Sequence, residues 1–544
     1  MLVKKLILIT LTYLLFNSTF IFSQNTEKTP SENTSKPLEL PNFIIEGKVQ
    51  LNIKSGTKEF PQKPLPLNSK ELDSINSLEK QQPVLLPAEP LPSKILNTEY
   101  KSGYIEAEFG RFAYGLFDIG YNYKMNEYTF FGNANFDFAG EHVKNSDYNR
   151  FKLNLYSDYI APKKFFIFGG SKTRTSLKLN TNNFKRYAFE IAPERNLTNL
   201  NIKIESDGSY SGYKFSTGTS FNTIQLKDNL LDSIKNNLAD NKINGFLKVT
   251  NIGSYYELGL EADLDIENFK ANSSNFIEVA ITGSYKLKNI NFNLKGGLQT
   301  AGTSNNIQRG GLIIDATLNY EINSLLSLKA NIFSGLKQTD LNELYAYNPY
   351  FDNNYNIDFS YEIPSILALI HYHPNQYFNA NAGINFGSSQ RKPIFYNDTI
   401  TKNIFLDYYN INYLKLIAET YWELTNYDIL TSRLDLDLSL LSENSKIAPY
   451  KPILQFAANY HRQWYNKLFG TKIGILYIGE KYADIENNMK IEGFIDLNME
   501  INYYLLKDLI ISLKLNNLLN SDKYIWNGYK ERGIYFGLNA NYIF

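Results

Sequence analysis

The chain has 544 residues, with 55 basic and 55 acidic side chains, no net charge and no cysteine. This composition excludes a disulfide scaffold, a catalytic thiol and a cysteine zinc site, and it supplies no basic face for nucleic acid. Aromatic residues make up 15% of the chain and the mean hydropathy is −0.33, too polar for a bundle of membrane-spanning helices, so a large globular chain or a membrane β-barrel remains.

The N-terminus has the pattern of a secretory signal peptide. Two lysines precede an apolar run over residues 6–16, and small polar residues follow near Ser23. The apolar run is about half the ~20 residues that a membrane-spanning helix needs, which favours a cleaved signal over a membrane anchor. We therefore expect residues 1–23 to form the signal peptide, with cleavage near Ser23 and Gln24.

The next segment, residues 24–96, is rich in proline. It holds ten of the chain's 18 prolines, and proline at this density favours extended, poorly packed and mostly irregular chain. Residues 42–53 have the pattern of a short strand inside this segment. Either this strand pairs with a neighbouring segment, or it docks on a periplasmic partner by strand addition.

From residue 97 onwards, apolar and polar residues alternate with the period of two that is typical of β-strands. In residues 254–266, apolar side chains occupy the even positions from Tyr256 to Ile266, and carboxylates predominate at the odd positions. Strands of about 10–13 residues with aromatic ends are long enough to cross a bilayer with tilt and suit its interfacial girdles. Residues 97–544 therefore predict an all-β fold, a large transmembrane antiparallel β-barrel.

The strand number is predicted by counting segments back from the C-terminus. About 22 strands fit, and the pattern allows 18 to 24; an even number is expected of a closed single-chain barrel. With 22 strands, the connections alternate between tight turns and longer loops. This is the asymmetry of an outer-membrane barrel, in which short turns face the periplasm and long loops face outward. The predicted long loops are residues 140–147, 181–197, 226–241, 336–354, 389–409 and 518–531.

Two of the long loops carry recognisable features. Apolar residues at helical spacing in loop 226–241 favour a short surface helix over the barrel rim, with a ligand lid as the alternative. Loop 336–354 is aromatic and rich in asparagine, which suits stacking on a sugar or a chelate. The rings are equally compatible with the loop's own packing. The candidate ligand residues are Tyr345, Tyr347, Tyr350 and Phe351.

Charged residues on the predicted inward strand faces form a second set of candidates. They favour a cation-leaning channel if they act on a passing solute. Alternatively, they pair with cross-strand neighbours, as a polar water-facing wall requires. The set consists of Glu257, Glu261, Asp263, Asp265, Asp315, Arg433, Asp435, Asp437, Glu492, Asp496 and Glu500.

The sequence gives no indication of catalysis. His371 and His373 lie two residues apart beside Pro374, where a solvated turn is a simpler interpretation than a metal pair. No histidine lies beside a serine or an acid in a pattern typical of a hydrolase. We therefore expect no enzyme activity, no bound metal and no cofactor.

Two short motifs resemble the TonB-dependent receptors of the outer membrane. Residues 515–529, followed by a last strand that ends in Phe544, resemble the C-terminal end of that family. Residues 341–345 and 348–350 resemble its mid-barrel Glu-Leu-Tyr…Asn-Pro signature. The resemblance implies a barrel that imports a scarce ligand, such as a metal chelate, vitamin or glycan, with a plug domain pulled by TonB. Phe544 is then the barrel-assembly signal, or alternatively an ordinary girdle aromatic.

The chain departs from that family at its N-terminal side. Residues 25–96 are too few and too rich in proline for the family's plug domain. Three mechanisms therefore remain open: solute uptake by an active transporter, a passive porin-like channel, and a non-transporting surface receptor or assembly scaffold. The expected partners are outer-membrane lipids, the barrel-assembly machinery, an unknown small-molecule solute, and TonB or another periplasmic protein bound through residues 25–96.

Overall fold

A computed structural model describes the barrel part of the chain. The predicted signal peptide and proline-rich segment, including the strand at 42–53, lie outside the described residues. No helix among the described residues is long and apolar enough to cross a membrane. The structure describes residues 102–544, except residues 166–167, 190–191, 232–233, 270–271, 305–306, 353–356, 400, 402 and 465–467. For residues 230, 231 and 234–236 it describes the backbone alone.

The described residues form strands almost throughout, with one short α-helix. The elements are β1 Gly103–Gly110, β2 Tyr114–Met125, β3 Tyr128–Ala139, β4 Tyr148–Ile160, β5 Lys172–Lys185, β6 Glu194–Tyr210, β7 Tyr213–Leu231, β8 Ile234–Ile252, β9 Tyr256–Phe269, β10 Asn272–Leu287, β11 Ile290–Thr303, β12 Gln308–Asn323, β13 Leu326–Gln338, α1 Leu341–Tyr347, β14 Phe359–Asn375, β15 Phe378–Asn397, β16 Ile404–Thr425, β17 Asp428–Leu441, β18 Leu454–Trp464, β19 Phe469–Ile478, β20 Lys481–Tyr482, β21 Lys490–Ile491, β22 Phe494–Leu506, β23 Leu509–Asn516, β24 Tyr524–Trp526, β25 Tyr529–Lys530 and β26 Tyr535–Ile543.

Among the described residues, 22 of these strands form one antiparallel sheet. Each wall strand pairs with the next wall strand along the chain, and β1 also pairs with β26, which closes the sheet into a barrel. The two remaining pairs, β20 with β21 and β24 with β25, are small hairpins inside loops. The predicted all-β barrel of 22 strands is confirmed.

The two faces of the wall differ as the alternation predicts. On β9, Leu258, Leu260 and Leu264 are exposed, whereas Glu261 on the opposite face is largely covered. Since a closed sheet has an inner and an outer face, the exposed apolar face is the outer one and the charged face lines the lumen. An apolar outer surface of this kind is typical of a barrel that contacts lipid.

The two ends of the barrel differ in the length of their connections. One end carries the chain's C-terminus and two-residue turns such as 211–212 and 288–289, although the turn at 161–171 is longer. We call it the short-turn end. The opposite end, the long-loop end, carries the connections 339–358, 442–453, 479–493 and 517–534.

The surface helix predicted in loop 226–241 is wrong, because β7 and β8 continue through this segment. Leu226 and Leu238 are cross-strand partners, and both are buried together with Ile224. Burial of alternate residues on one strand face outweighs the helical spacing of the leucines. Most of the predicted loop 389–409 is likewise strand, since β15 ends at Asn397 and β16 begins at Ile404.

The last residue completes the seam of the barrel. The backbone N–H groups of Ser102 and Gly103 donate to the carbonyl oxygen of Phe544 at 2.7 and 2.8 Å, and the Phe544 N–H donates to Gly103 at 2.9 Å. A Cβ on Gly103 would lie 2.8 Å from the Gly120 carbonyl oxygen and 2.9 Å from the Phe544 ring, so the glycine allows a close approach here. The Phe544 ring stacks on Tyr121 and Tyr542. Its role as an assembly signal stays a prediction.

We expect deletion of Phe544 to weaken the folded barrel more than Phe544→Ala does. The deletion removes three seam hydrogen bonds, worth about 3 kcal/mol together, whereas the alanine variant keeps them and loses only ring contacts. Urea unfolding in lipid vesicles, followed by the heat-dependent gel shift of the barrel, measures both variants. Equal stability of the two variants would show that the backbone seam at Phe544 contributes little.

Candidate functional site

The connection between β13 and β14 folds inward at the long-loop end. Its described residues 339–352, which we call the lid, include helix α1. The Asp340 carboxylate caps this helix by accepting a hydrogen bond from the Asn342 N–H at 2.8 Å. Leu341 and Leu344 on the helix are buried. The lid is therefore a folded element that presents an apolar face to its surroundings.

Aromatic side chains of the lid connect opposite walls of the barrel. The ring centroid of Tyr350 lies 5.4 Å from that of Phe184 on β5, and the centroid of Phe351 lies 5.1 Å from that of Phe395 on β15. In a ring of 22 strands, β5 and β15 are ten strands apart, nearly a diameter. The lid therefore crosses the lumen, held on both sides by edge-to-face ring contacts.

Three other loops join the same buried cluster. Tyr529 stacks on Tyr350 with ring centroids 3.8 Å apart, and Trp526 lies 4.4 Å from Tyr450. We call the whole set the apolar cluster. Its buried members are Phe184, Ile224, Leu226, Leu238, Phe269, Leu341, Leu344, Tyr345, Tyr350, Phe351, Ile357, Phe395, Ile404, Leu406, Tyr408, Tyr450, Ala483, Ile491, Trp526 and Tyr529.

One buried arginine fixes the lid to the wall. Arg195 on β6 is fully buried and donates to both carboxylate oxygens of Asp228 on β7, at 2.7 and 2.6 Å. Its Nη1 donates to the carbonyl oxygens of Pro349 and Phe351 in the lid, at 2.8 Å each. The Asp228 carboxylate compensates the buried guanidinium charge. The two carbonyl oxygens accept from Nη1, which does not donate to the carboxylate.

Further polar contacts hold the two ends of the lid. The Asn199 side-chain amide donates to the Asn342 side chain, and the Lys242 ammonium lies 3.4 Å from the Asp340 carboxylate. At the other end, the Asp352 N–H donates to the Ile404 carbonyl oxygen at 2.7 Å. These contacts reach β6 and β8 on one side and β16 on the other, so they support the same crossing.

The loop residues that the sequence singled out as ligand candidates lie inside this packing. Tyr345, Tyr350 and Phe351 are buried, and Tyr347 is half-buried against Phe395 and Trp526. In this arrangement their rings contact protein. A role in ligand binding stays a prediction and requires the lid to move.

The charged wall residues on β9 and its neighbours are joined in ion pairs. The Glu261 carboxylate lies 2.8 Å from the Lys248 ammonium and also contacts Lys295, which in turn contacts Glu278. Glu257 lies 3.4 Å from Lys214. Asp265 accepts from the Asn244 amide at 2.9 Å.

Six further charged candidates contact a nearby polar or charged side chain. Asp315 accepts from Asn331 at 2.6 Å. The Arg433 guanidinium lies 2.7 Å from Asp435, and Asp437 lies 3.0 Å from Lys415. Two further pairs are Asp496 with Lys523 at 2.7 Å and Glu500 with Lys472 at 3.2 Å. Their influence on a solute stays a prediction.

One charged candidate was assigned to the wrong kind of position. The sequence placed Glu492 on an inward strand face, but β22 begins only at Phe494. The Glu492 side chain is 81% exposed in the preceding loop, 3.6 Å from Lys490. The wall strand β22 begins later than the sequence predicted, because the residues just before Glu492 belong to the β20–β21 hairpin.

One acidic group has the spacing of a metal site. Carboxylate oxygens of Glu261, Asp263 and Glu278 lie within 4.8 Å of one another. The Lys295 ammonium contacts two of these carboxylates and already supplies the cationic charge there. We therefore assign no metal to this group.

A buried lysine joins two of the loops around the apolar cluster. The Lys481 ammonium in β20 donates to the Ile525 carbonyl oxygen at 2.7 Å. Burial lowers the pKa of Lys481 to about 7, and the Glu531 carboxylate opposes this shift only in part. Sequence reasoning missed Lys481 and Arg195, since a lysine or arginine in a long loop is normally solvated and carries no distinctive signal.

Solved structures share the barrel of this chain. The FrpB iron transporter from Neisseria meningitidis (F3-3 variant) matches 83% of this chain over 82% of its own length, with a TM-score of 0.67 and 10% identity. The copper transporter OprC matches 82% of this chain over 81% of its own, with a TM-score of 0.66 and 10% identity. The ferric-catecholate import receptor Fiu from K12 E. coli matches 81% of this chain over 82% of its own length, with a TM-score of 0.62 and 8% identity. These are TonB-dependent receptors, and this chain has their barrel fold.

No protein-family model matches the sequence of this chain. No curated protein matches it either.

We expect Arg195→Met to loosen the lid. The variant keeps the length and apolar stem of the side chain but leaves Asp228 buried without its cation, and breaking a buried pair costs about 3–5 kcal/mol. Hydrogen exchange at the backbone amides of residues 340–352 is then expected to accelerate by roughly 100-fold or more.

The matched control for this variant is Arg174→Met. Arg174 pairs with Asp158 at 2.7 Å, but this pair is partly exposed and lies near the short-turn end, so its loss is expected to leave the lid amides unchanged. Unchanged exchange in Arg195→Met itself would contradict the anchoring role of Arg195.

Proposed function

We propose that this chain is an outer-membrane receptor-transporter that admits a small solute through a barrel gated by its lid. The observation that carries the proposal is the aromatic bridge from Phe184 through Tyr350 and Phe351 to Phe395. A wide barrel encloses a lumen that its wall residues cannot fill. A folded element across that lumen controls passage, so movement of the lid is the step that admits solute.

The outer surface supports a location in the outer membrane. Exposed apolar side chains cover the outer face of the wall, and export is expected from the signal-peptide pattern of residues 1–23. In this proposal the short-turn end faces the periplasm, and the lid faces outward. A passive porin is less well supported, because the described residues 339–352 cross the lumen and are anchored to the wall on both sides.

The related structures support the type of cargo. FrpB is described as an iron transporter, OprC as a copper transporter and Fiu as a ferric-catecholate import receptor. For this chain we propose uptake of a small solute. The proposal also includes a contact of residues 25–96 with TonB or another periplasmic protein.

A bridge between the lid and the wall tests the gate. The side-chain amides of Asn199 and Asn342 touch, and the chain has no cysteine, so the double variant Asn199→Cys/Asn342→Cys can be linked uniquely by a short bifunctional thiosulfonate. Bridging is expected to lower arabinose flux into proteoliposomes at least five-fold, and reduction is expected to restore it.

The control uses a monofunctional thiosulfonate on the same double variant. It modifies both cysteines at Asn199 and Asn342 without linking them, so it separates the effect of the bridge from that of the modification. Equal flux in the bridged and singly modified proteins contradicts a gating lid. Absence of flux in every form contradicts transport and favours the non-transporting receptor.

A further inference from the structure

A second feature of the lumen lies beside the lid. A cavity of about 150 Å³ opens between the first residues of β2 and β26 and the inner faces of β19, β22 and β23. Tyr350 of the lid contributes to its lining, as do Tyr114 and Tyr535 from the wall. The cavity therefore lies inside the barrel at the long-loop end, next to the gate.

Most of the charges that line this cavity are neutralised within the wall. Lys472 lies 3.2 Å from Glu500, and Lys523 lies 2.7 Å from Asp496. Lys514 contacts Glu108. Such close pairs leave little net field at the cavity surface.

Arg532 is different, because its guanidinium lies over two aromatic rings and not beside a carboxylate. Its Cζ is 4.9 Å from the ring centroid of Tyr114 and 5.2 Å from that of Tyr535. Among the described residues it forms no ion pair, and its buried Nη1 has no hydrogen-bond partner. A guanidinium that lines a cavity without a carboxylate beside it keeps an uncompensated positive charge, and this charge attracts an anion bound in the cavity.

We propose that this cavity binds a small organic monocarboxylate, with its carboxylate on Arg532 and its body among the tyrosines. The two rings hold the guanidinium in place by cation–π contact. A guanidinium binds a carboxylate through charge-assisted N–H donors. A cavity of about 150 Å³ holds a molecule about the size of benzene, so the body of the ligand is about one ring.

The charge of the ligand is limited by Glu531. This residue also lines the cavity. Lys481 attracts its carboxylate, but no described cation lies within ion-pair distance of it. A second negative charge on the ligand meets this carboxylate in a confined space and is repelled. The site therefore favours a monoanion over a dicarboxylate or a phosphate. The inference rests on the proposed function only where it identifies the bound monocarboxylate with the transported solute. The binding site itself is tested separately, by equilibrium binding.

The test uses the full mature chain in nanodiscs with benzoate, benzamide and phthalate as probes. Benzoate carries one negative charge, benzamide is its neutral counterpart, and phthalate carries a second carboxylate. Titration calorimetry is expected to show benzoate bound at least ten-fold more tightly than either of the others. Equal affinity for benzoate and benzamide overturns the proposal, as does the absence of benzoate binding.

The variant Arg532→Gln tests whether Arg532 binds the carboxylate of benzoate. Arg532→Gln keeps a donor but removes the charge, and a hydrogen bond to a charged group accounts for roughly 10- to 100-fold in affinity. We expect a loss of that size for benzoate, and no change in Arg174→Gln, whose side chain lies outside the cavity. Unchanged benzoate affinity in Arg532→Gln overturns the assignment. The comparison of probes on the unaltered protein remains decisive if the variant does not fold.

This binding test and the flux test have distinguishable failures. If bridging Asn199 to Asn342 stops arabinose flux but benzoate does not bind, the gate stands and the monocarboxylate site is wrong. If benzoate binds through Arg532 but bridging has no effect on flux, the site stands and the gate is wrong.

Discussion

The arrangement at the long-loop end depends on the buried contact between Arg195, Asp228 and two carbonyl oxygens of the lid. A guanidinium without exposure is stable only if its charge is compensated and its donors are used. Asp228 supplies the charge from the neighbouring strand, and Pro349 and Phe351 supply acceptors from the lid. The Arg195 donors that Asp228 does not use therefore find acceptors when the lid lies across the lumen.

The barrel itself provides the space that the lid occupies. Closing 22 strands into one sheet leaves no free strand edge in the described wall and allows an apolar outer face. The same closure creates a lumen too wide for the wall side chains to fill. Loops that fold inward and bury aromatic rings there, including Tyr350 and Trp526, gain apolar contact that loops extending into water would lack.

The barrel was predictable from the sequence because lipid outside and water inside impose a period of two on every wall strand. The strand number followed from this period, but strand ends did not, since pairing continues through residues 226–241 and 389–409. The site was much less predictable. Arg195 and Phe351 lie 156 residues apart, and no local pattern marks their contact. The aromatic loop was recognised, but its rings face the apolar cluster because the loop folds inward.

The most direct test of this account is single-channel conductance in a planar bilayer. Three proteins are compared: the mature chain, the chain with residues 340–352 replaced by a short Gly-Ser linker, and the chain lacking residues 25–96. If the lid is the barrier, replacing it produces a stable open pore, and deleting residues 25–96 leaves the mature chain's low conductance unchanged. A pore that opens on deletion of residues 25–96 and stays closed without the lid would contradict the account.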